Sequence, residues 1–151
     1  MLGQMMQTPL TITSVMRHAL RHHGDREVIA VTADEPLIRS DYRAVFARAG
    51  QLASALAAAG VKPGERVATL AWNDHRHLEL YYGTSCAGMV LHTLNPRLFP
   101  EQIAWIMNHA EDSCLFVDPL VRPLAEALAP KLPAVRRWIV MTDGAHMPET
   151  S

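Results

Sequence analysis

The chain has 151 residues, 49% of them hydrophobic, and a formal net charge of -1. This length predicts one domain with its own core, and the near-zero charge gives no electrostatic reason to expect a nucleic acid or an anionic membrane as partner. The opening MLGQMMQTPLTITSV lacks the pattern of a secretory signal, and no apolar run approaches the roughly 20 residues of a membrane span, so we expect a cytoplasmic protein.

The sequence divides into a helix-and-hairpin region and a region in which strands and helices alternate. Apolar residues recur every three or four positions in the helices and run nearly unbroken in the strands. The predicted elements of the first region are a helix over residues 12–24, a strand at 27–32 that returns at 37–39, and a helix from an N-cap Ser40 to Gly60. Those of the second region are strands at 66–71, 90–93, Cys114–Val117 and 138–141, and helices at about 74–87, Pro100–Ala110 and about 120–129.

Alternating strands and helices predict an α/β fold with a mostly parallel sheet covered by helices on both faces. The nearly continuous apolar strands Cys114–Val117 and 138–141 predict burial on both sides of the sheet. The two cysteines, Cys86 and Cys114, lie in apolar runs and are predicted to be buried free thiols. Residues 142–151 are polar and turn-forming, so we expect a loop there.

Two local patterns imitate site motifs without meeting their requirements. His18 and His22 have a spacing that can hold a metal on one helix face, but no glutamate base lies between them. Residues 83–88, GTSCAG, have the glycine spacing of a phosphate loop and resemble a nucleophile elbow with one residue too many. Met89 and Val90 stand where that loop requires Lys and Ser/Thr, and the preceding residues have helical character. We therefore predict a close helix contact there, and neither a catalytic residue nor a metal ligand in this chain.

Polar loops follow the strands of the second region and are the candidates for ligand contact. In open parallel sheets, ligands bind outside the carboxyl ends of the strands. The loop after the second of these strands contains Asn95 and Arg97, and the loop after the third contains Arg122. Trp72 and Asn73, after the first strand, are a weaker candidate. A structural interpretation stays open, since Asn95 precedes a proline in good turn chemistry and Arg122 can be a solvated helix charge.

A long stretch of the second region matches a known sequence pattern. Residues 67–118 read VATLAWNDHRHLELYYGTSCAGMVLHTLNPRLFPEQIAWIMNHAEDSCLFVD. This segment resembles the adenylate-forming acyl-CoA ligases, especially the branch that activates medium-chain acids and 3-(methylthio)propionate, and the resemblance extends over nearly the whole chain. Family members run to several hundred residues. The resemblance therefore implies that residues 1–151 are the N-terminal part of an incomplete ligase large domain, with residues 142–151 a loop cut in mid-course.

The resemblance also implies an activity and a set of ligands. Such enzymes use ATP and Mg²⁺ to convert a carboxylic acid into an acyl-adenylate and then exchange AMP for coenzyme A. In related acetate-activating enzymes, the loop matching residues 94–98 and the arginine of a D-x-x-x-R segment lie at the nucleotide end of coenzyme A. This implies coenzyme A contacts for Asn95, Arg97 and Arg122. Those enzymes carry Phe-Gly-Gly where this chain has Asn95, Pro96 and Arg97, but an arginine can meet a phosphate through charge-assisted hydrogen bonds.

Motifs on which the family's phosphate chemistry depends have no match in this sequence. They are a Ser/Thr/Gly-rich loop ending in lysine, downstream acidic residues for magnesium and ribose, and a lysine on a C-terminal domain. We therefore expect this chain alone to be inactive and to bind ATP, Mg²⁺ and coenzyme A unproductively, whereas the parent would act on a small carboxylic acid, with a homodimer as one open assembly. Two alternatives stay open: a self-contained flavodoxin-like binding module, and a non-functional remnant of a frameshift or premature stop.

Overall fold

A four-stranded parallel sheet follows an N-terminal helix, a hairpin and a long helix. The computed structural model describes residues 3–32, 34 and 36–146. Its elements in chain order are α1 (Ile12–His23), β1 (Glu27–Ala30), β2 (Ile38–Asp41), α2 (Tyr42–Ala58), β3 (Arg66–Leu70), α3 (His75–Cys86), β4 (Val90–Leu94), α4 (Pro100–Ala110), β5 (Cys114–Val117), α5 (Arg122–Leu128) and β6 (Arg137–Val140). Among these helices, none has both the length and the apolar character to cross a bilayer.

The sheet has the strand order β4-β3-β5-β6, and every neighbouring pair is parallel. The hairpin β1–β2 is a separate antiparallel pair. Helix α3 carries the chain from β3 to β4 on one side, and α4 then returns it to β5 on the other side of β3. The predicted α/β class, with a mostly parallel sheet between two helical layers, is confirmed.

Each face of the sheet buries its own apolar cluster. Alternate residues of a strand point to opposite faces, so Ala68 and Leu70 pack with α4 and α5, whereas Val67 packs on the side of α2 and α3. All four residues of β5 are buried, as its unbroken apolar run predicted. Full burial of one such aliphatic side chain contributes roughly 1.5–3 kcal/mol.

Two predicted details differ from the structure because neighbouring segments decide them. Ser40 is not the N-cap of α2, since strand β2 continues one residue further, to Asp41, which pairs with Glu27. The cap is Asp41, whose carboxylate accepts a hydrogen bond from the Ala44 N–H at 2.8 Å. The helix predicted at 120–129 begins as a 3-10 turn, and α5 starts only at Arg122.

The two remaining corrections concern burial. Strand β6 pairs with β5 alone and leaves Trp138 exposed, so it is an edge strand and is not buried on both faces as predicted. Cys114 is fully buried, which raises the pKa of its thiol to about 11, but Cys86 is only half-buried. Of the loop predicted at 142–151, residues 142–146 form an irregular segment with a turn, and 147–151 lie outside the described residues.

Helices α2 and α3 approach closely at a glycine. A Cβ atom on Gly83 would lie 2.8 Å from the carbonyl oxygen of Ala49 and 2.9 Å from a methyl carbon of Leu52. The absence of a side chain therefore sets the separation of the two helices. Gly83 lies inside α3, so the segment GTSCAG forms the helix contact that we predicted there.

Replacing Gly83 with Ala should destabilise the fold by about 1–3 kcal/mol, because the new methyl group must displace backbone as well as Leu52. Gly50 in α2 is the matched control, since a Cβ there meets nothing within 4 Å. Gly50→Ala should stabilise the chain by about 0.5–1 kcal/mol through helix propensity. Urea denaturation followed by far-UV circular dichroism measures both. Effects of the same sign in the two variants would contradict the close contact.

Candidate ligand site at the carboxyl edge of the sheet

The chain reverses its direction across the sheet next to β3. β4 lies on one side of β3 and β5 on the other, so α3 and α4 leave from opposite faces. In open α/β sheets the crevice outside the strands' carboxyl ends at such a reversal is the usual place for a ligand. Residues 71–74 after β3 and residues 118–121 after β5 flank this crevice, and residues 95–99 after β4 lie beside the first of these segments.

A buried histidine fixes the segment that follows β3. In His77, Nδ1 lies 3.2 Å from the carbonyl oxygen of Trp72, and Nε2 lies 2.9 Å from Oγ1 of Thr69. A carbonyl oxygen only accepts, so Nδ1–H donates to Trp72. Burial lowers the pKa of His77, which favours the neutral ring, and in that ring the bare Nε2 accepts from the Thr69 hydroxyl. The sequence signal that could have found it is a polar residue at an inward position in the first turn of α3.

The predicted residues Asn95 and Arg97 share one turn. The side-chain oxygen of Asn95 accepts a hydrogen bond from the Arg97 N–H at 3.0 Å, so Asn95 shapes the loop. The guanidinium carbon of Arg97 lies 5.3 Å from the centroid of the Trp72 ring, an attractive cation–π arrangement. The structure thus brings together two of the predicted loops, those after β3 and β4.

Arg122 lies apart from this pair. It is the first residue of α5, and its Nε is 3.1 Å from Oε1 of Glu126 one turn later. Asp118 is buried, caps its own turn by accepting from the Leu120 N–H at 2.8 Å, and has a pKa raised by that burial. Within the described part of the chain, Arg122 and Arg97 make no hydrogen bond or ring contact with each other.

A second polar cluster lies beyond the carboxyl end of β6. The guanidinium of Arg76 binds both carboxylate oxygens of Asp34, at 2.9 and 3.0 Å, and also donates to the carbonyl of Met141 at 3.0 Å. The Thr142 hydroxyl donates to the same carboxylate at 3.2 Å. Sequence reasoning missed this cluster, because its members are 42 and 108 residues apart and no local pattern joins them.

The residues near this cluster do not fit a metal site. Asp34, Asp143 and His146 place their potential ligand atoms within 4.8 Å of one another, the only such group of three among the described residues. The charge of Asp34 is already offset by Arg76, which holds the pKa of that carboxyl well below its usual range. His146 in turn binds Asp143 at 2.8 Å. These contacts describe an ion-pair network.

Comparison with known proteins decides the family. The family model described as AMP-binding enzyme matches residues 16–151. The chain belongs to the AMP-binding enzyme family. It is similar to a 3-methylmercaptopropionyl-CoA ligase of Ruegeria pomeroyi, with 50% identity over 93% of this chain and 26% of that protein. It is also similar to a medium-chain-fatty-acid–CoA ligase of Ectopseudomonas oleovorans, with 48% identity over the same shares.

A solved structure supports the same assignment. A protein of Rhodopseudomonas palustris, assigned as a long-chain-fatty-acid CoA ligase, is 28% identical and superposes with a TM-score of 0.77, over 89% of this chain and 33% of that chain. The predicted resemblance to adenylate-forming acyl-CoA ligases is therefore confirmed. The chain spans about 26% of the curated relatives that it matches, and the family match favours a ligase segment over a self-contained flavodoxin-like module.

Replacing Asp34 with Asn tests the ion pair. The pairing lowers the pKa of folded Asp34 from about 3.9 in the unfolded chain, so its stabilisation is fully present above about pH 5 and is lost as the pH falls through the folded value. We expect the substitution to cost about 3 kcal/mol at pH 7 and progressively less at lower pH. Urea denaturation between pH 7 and pH 3 measures this.

The exposed pair of Glu27 and Arg39 provides the control for this measurement. Glu27→Gln should change stability by less than about 1 kcal/mol, because solvent screens that pair. A deficit in the Asp34 variant that does not change between pH 7 and pH 3 would refute the charge-dependent role.

Proposed function

We propose that this chain is the N-terminal part of an AMP-forming acyl-CoA ligase. The whole protein would activate a short- or medium-chain fatty acid, or a methylthio-substituted acid, and transfer it to coenzyme A. The observation that carries this proposal is the 50% identity over 93% of the chain to a 3-methylmercaptopropionyl-CoA ligase, together with the 48% identity to a medium-chain-fatty-acid–CoA ligase.

The proposed reaction has two half-reactions. In the first, an oxygen of the acid attacks the α-phosphate of ATP, the bond to the β-phosphate breaks, and pyrophosphate leaves. In the second, the sulfur of coenzyme A attacks the acyl carbonyl, the thiol proton is lost, and AMP leaves. Mg²⁺ belongs to the same proposal and would offset the charge of the triphosphate.

Within this reaction we assign the chain's carboxyl-edge loops to the nucleotide end of coenzyme A. The guanidinium of Arg97 lies over the Trp72 ring, and the residue is exposed to solvent. Its N–H groups have the fork geometry that binds phosphate. Arg122 uses its Nε for Glu126 and has further donors for a phosphate. Asn95 contributes indirectly, by shaping the turn that carries Arg97.

The assembly and the location of the parent stay predictions. For the parent we propose a cytoplasmic location and a homodimer. The coding sequence just downstream distinguishes a longer ligase from a non-functional remnant. A phosphate loop encoded out of frame would indicate a remnant, and one encoded in frame would indicate a longer ligase.

The 151-residue chain, purified by itself, should form no acyl-adenylate. It lacks the phosphate loop and its lysine, which the family uses to stabilise the charge that develops on the phosphates of ATP. ATP–pyrophosphate exchange with butyrate, hexanoate and 3-(methylthio)propionate measures this half-reaction. Acid-dependent exchange above the no-protein background would show that the chain is catalytically self-sufficient.

Arg97→Ala and Arg122→Ala, each made in the full-length parent, should weaken coenzyme A binding by about 1.5–3 kcal/mol, the scale of a hydrogen bond to a charged group. The adenylation half-reaction does not use coenzyme A and should be almost unchanged. Pyrophosphate exchange and thioester formation, measured side by side with thermal stability, separate the two steps. Equal losses in both steps would indicate a structural role.

Glu126→Ala is the matched control for the second variant. It removes the partner of Arg122 and retains the arginine. The Michaelis constant for coenzyme A should then stay constant or fall, because the guanidinium is freed for the phosphate. An increase as large as that of Arg122→Ala would indicate that the ion pair, and not a phosphate contact, is what matters.

A further inference from the structure

The whole-chain charge of -1 conceals a basic segment. Residues 3–24 contain two arginines and three histidines and not one acidic residue. Arg17 and Arg21 lie on α1, one turn apart. Within the described part of the chain, neither guanidinium has a carboxylate at salt-bridge distance. Two positive charges therefore stand exposed and without counter-ions on one helix.

These charges line a cavity on the outer face of α1. The cavity has a volume of about 360 Å³, and the residues that line it include Arg17, His18, Arg21 and His22. The spacing of these four residues places them along one side of the helix. The opposite side, with Met16, Ala19 and Leu20 half-buried, faces α2 and α3. The basic side is thus directed away from the domain.

The chemistry of this cavity fits a phosphate group. A guanidinium binds phosphate oxygens through two parallel N–H bonds, and imidazoles add further donors. Thr11 and Ser14 also line the cavity, but their hydroxyls serve the helix cap, since the Ser14 Oγ donates to the Thr11 carbonyl at 2.6 Å. The attraction for an anion therefore comes from the arginines and histidines.

Large apolar side chains are exposed beside the cavity. Met5, Met6 and Leu10, in the segment leading into α1, are 85%, 68% and 88% exposed. Ile12 and Val15, in the first turn of the helix, are about half exposed. A small dissolved phosphate compound would not cover these apolar side chains. A basic helix beside an exposed apolar segment is the arrangement that binds the interface of a membrane.

We propose that residues 3–24 bind the surface of an anionic phospholipid bilayer. Arg17 and Arg21 meet lipid phosphates, and Met5, Met6 and Leu10 enter the boundary between headgroups and acyl chains. The helix lies in the plane of the interface and does not cross the bilayer. The whole-chain charge gave no electrostatic reason to expect an anionic membrane as partner, whereas the local charge of this segment gives one.

Vesicle flotation tests the proposal, because vesicles carry bound protein upward whereas aggregated protein sinks. The full 151-residue chain should float with vesicles of phosphatidylcholine and phosphatidylglycerol and remain behind with phosphatidylcholine alone. The double variant Arg17→Gln/Arg21→Gln should bind about 30-fold more weakly, as expected for the loss of two basic residues at an anionic surface. The triple variant Met5→Ser/Met6→Ser/Leu10→Ser should lose more than tenfold.

Two controls make the result specific. Lys62→Gln/Lys131→Gln removes the same charge from other exposed positions and should float like the unaltered chain. Arg17→Lys/Arg21→Lys keeps the charge and should retain most of the binding, and circular dichroism of every variant monitors folding. A lysine control that loses as much as the arginine variant would overturn the proposal in favour of diffuse charge attraction.

Two further outcomes would also overturn it. Equal flotation with neutral vesicles would show that apolar contact alone drives binding. Binding of inorganic phosphate to the vesicle-free chain, detected by ³¹P NMR, lost in the double arginine variant and unchanged in the triple serine variant, would identify a site for a dissolved phosphate compound if flotation were absent.

Discussion

The rest of the structure depends on the burial of β3. This strand pairs with a neighbour on each side and is covered by helices on both faces, so Val67, Ala68, Thr69 and Leu70 are inaccessible to solvent. A hydroxyl in such a place needs a partner, because an unpaired buried polar group is costly. Thr69 finds that partner in His77 of α3, and this one contact links the innermost strand to the edge that carries the candidate ligand residues.

The consequence of that contact extends outward in three steps. The same imidazole holds the carbonyl of Trp72, which fixes the segment after β3. The ring of Trp72 lies under the guanidinium of Arg97. Arg97 comes from the neighbouring loop, where the side chain of Asn95 stabilises the turn. A requirement of the core thus orients an exposed cation. Arg122 has no comparable support and depends on Glu126 in its own helix, so the two arginines are unequal candidates although the sequence presents them alike.

Local signals explain how much of the fold the sequence could predict. Apolar periodicity and glycine or proline punctuation act over a few residues, and they located the five α-helices and six strands of the described chain to within a few positions. What they missed depends on segments far apart in sequence. Ser40 and Asp41 are both good caps, and the hairpin decides between them, because its pairing extends to Asp41 opposite Glu27 and α2 starts only after that residue. The ion pair of Asp34 and Arg76 spans 42 residues and exists only because the fold brings its members together.

The net charge of the whole chain and the charge of one segment also lead to different expectations. A net charge near zero averages a basic first segment with an acidic remainder, so it says little about either surface. The structure separates them. Helix α1 contacts α2 and α3 and presents its basic side outward, whereas the candidate ligand residues follow the strands of the sheet. Because different elements carry the two surfaces, changes to Arg17 and Arg21 should leave the loops of Arg97 and Arg122 in place. Membrane association and coenzyme A binding can therefore be lost independently, and neither proposal requires the other.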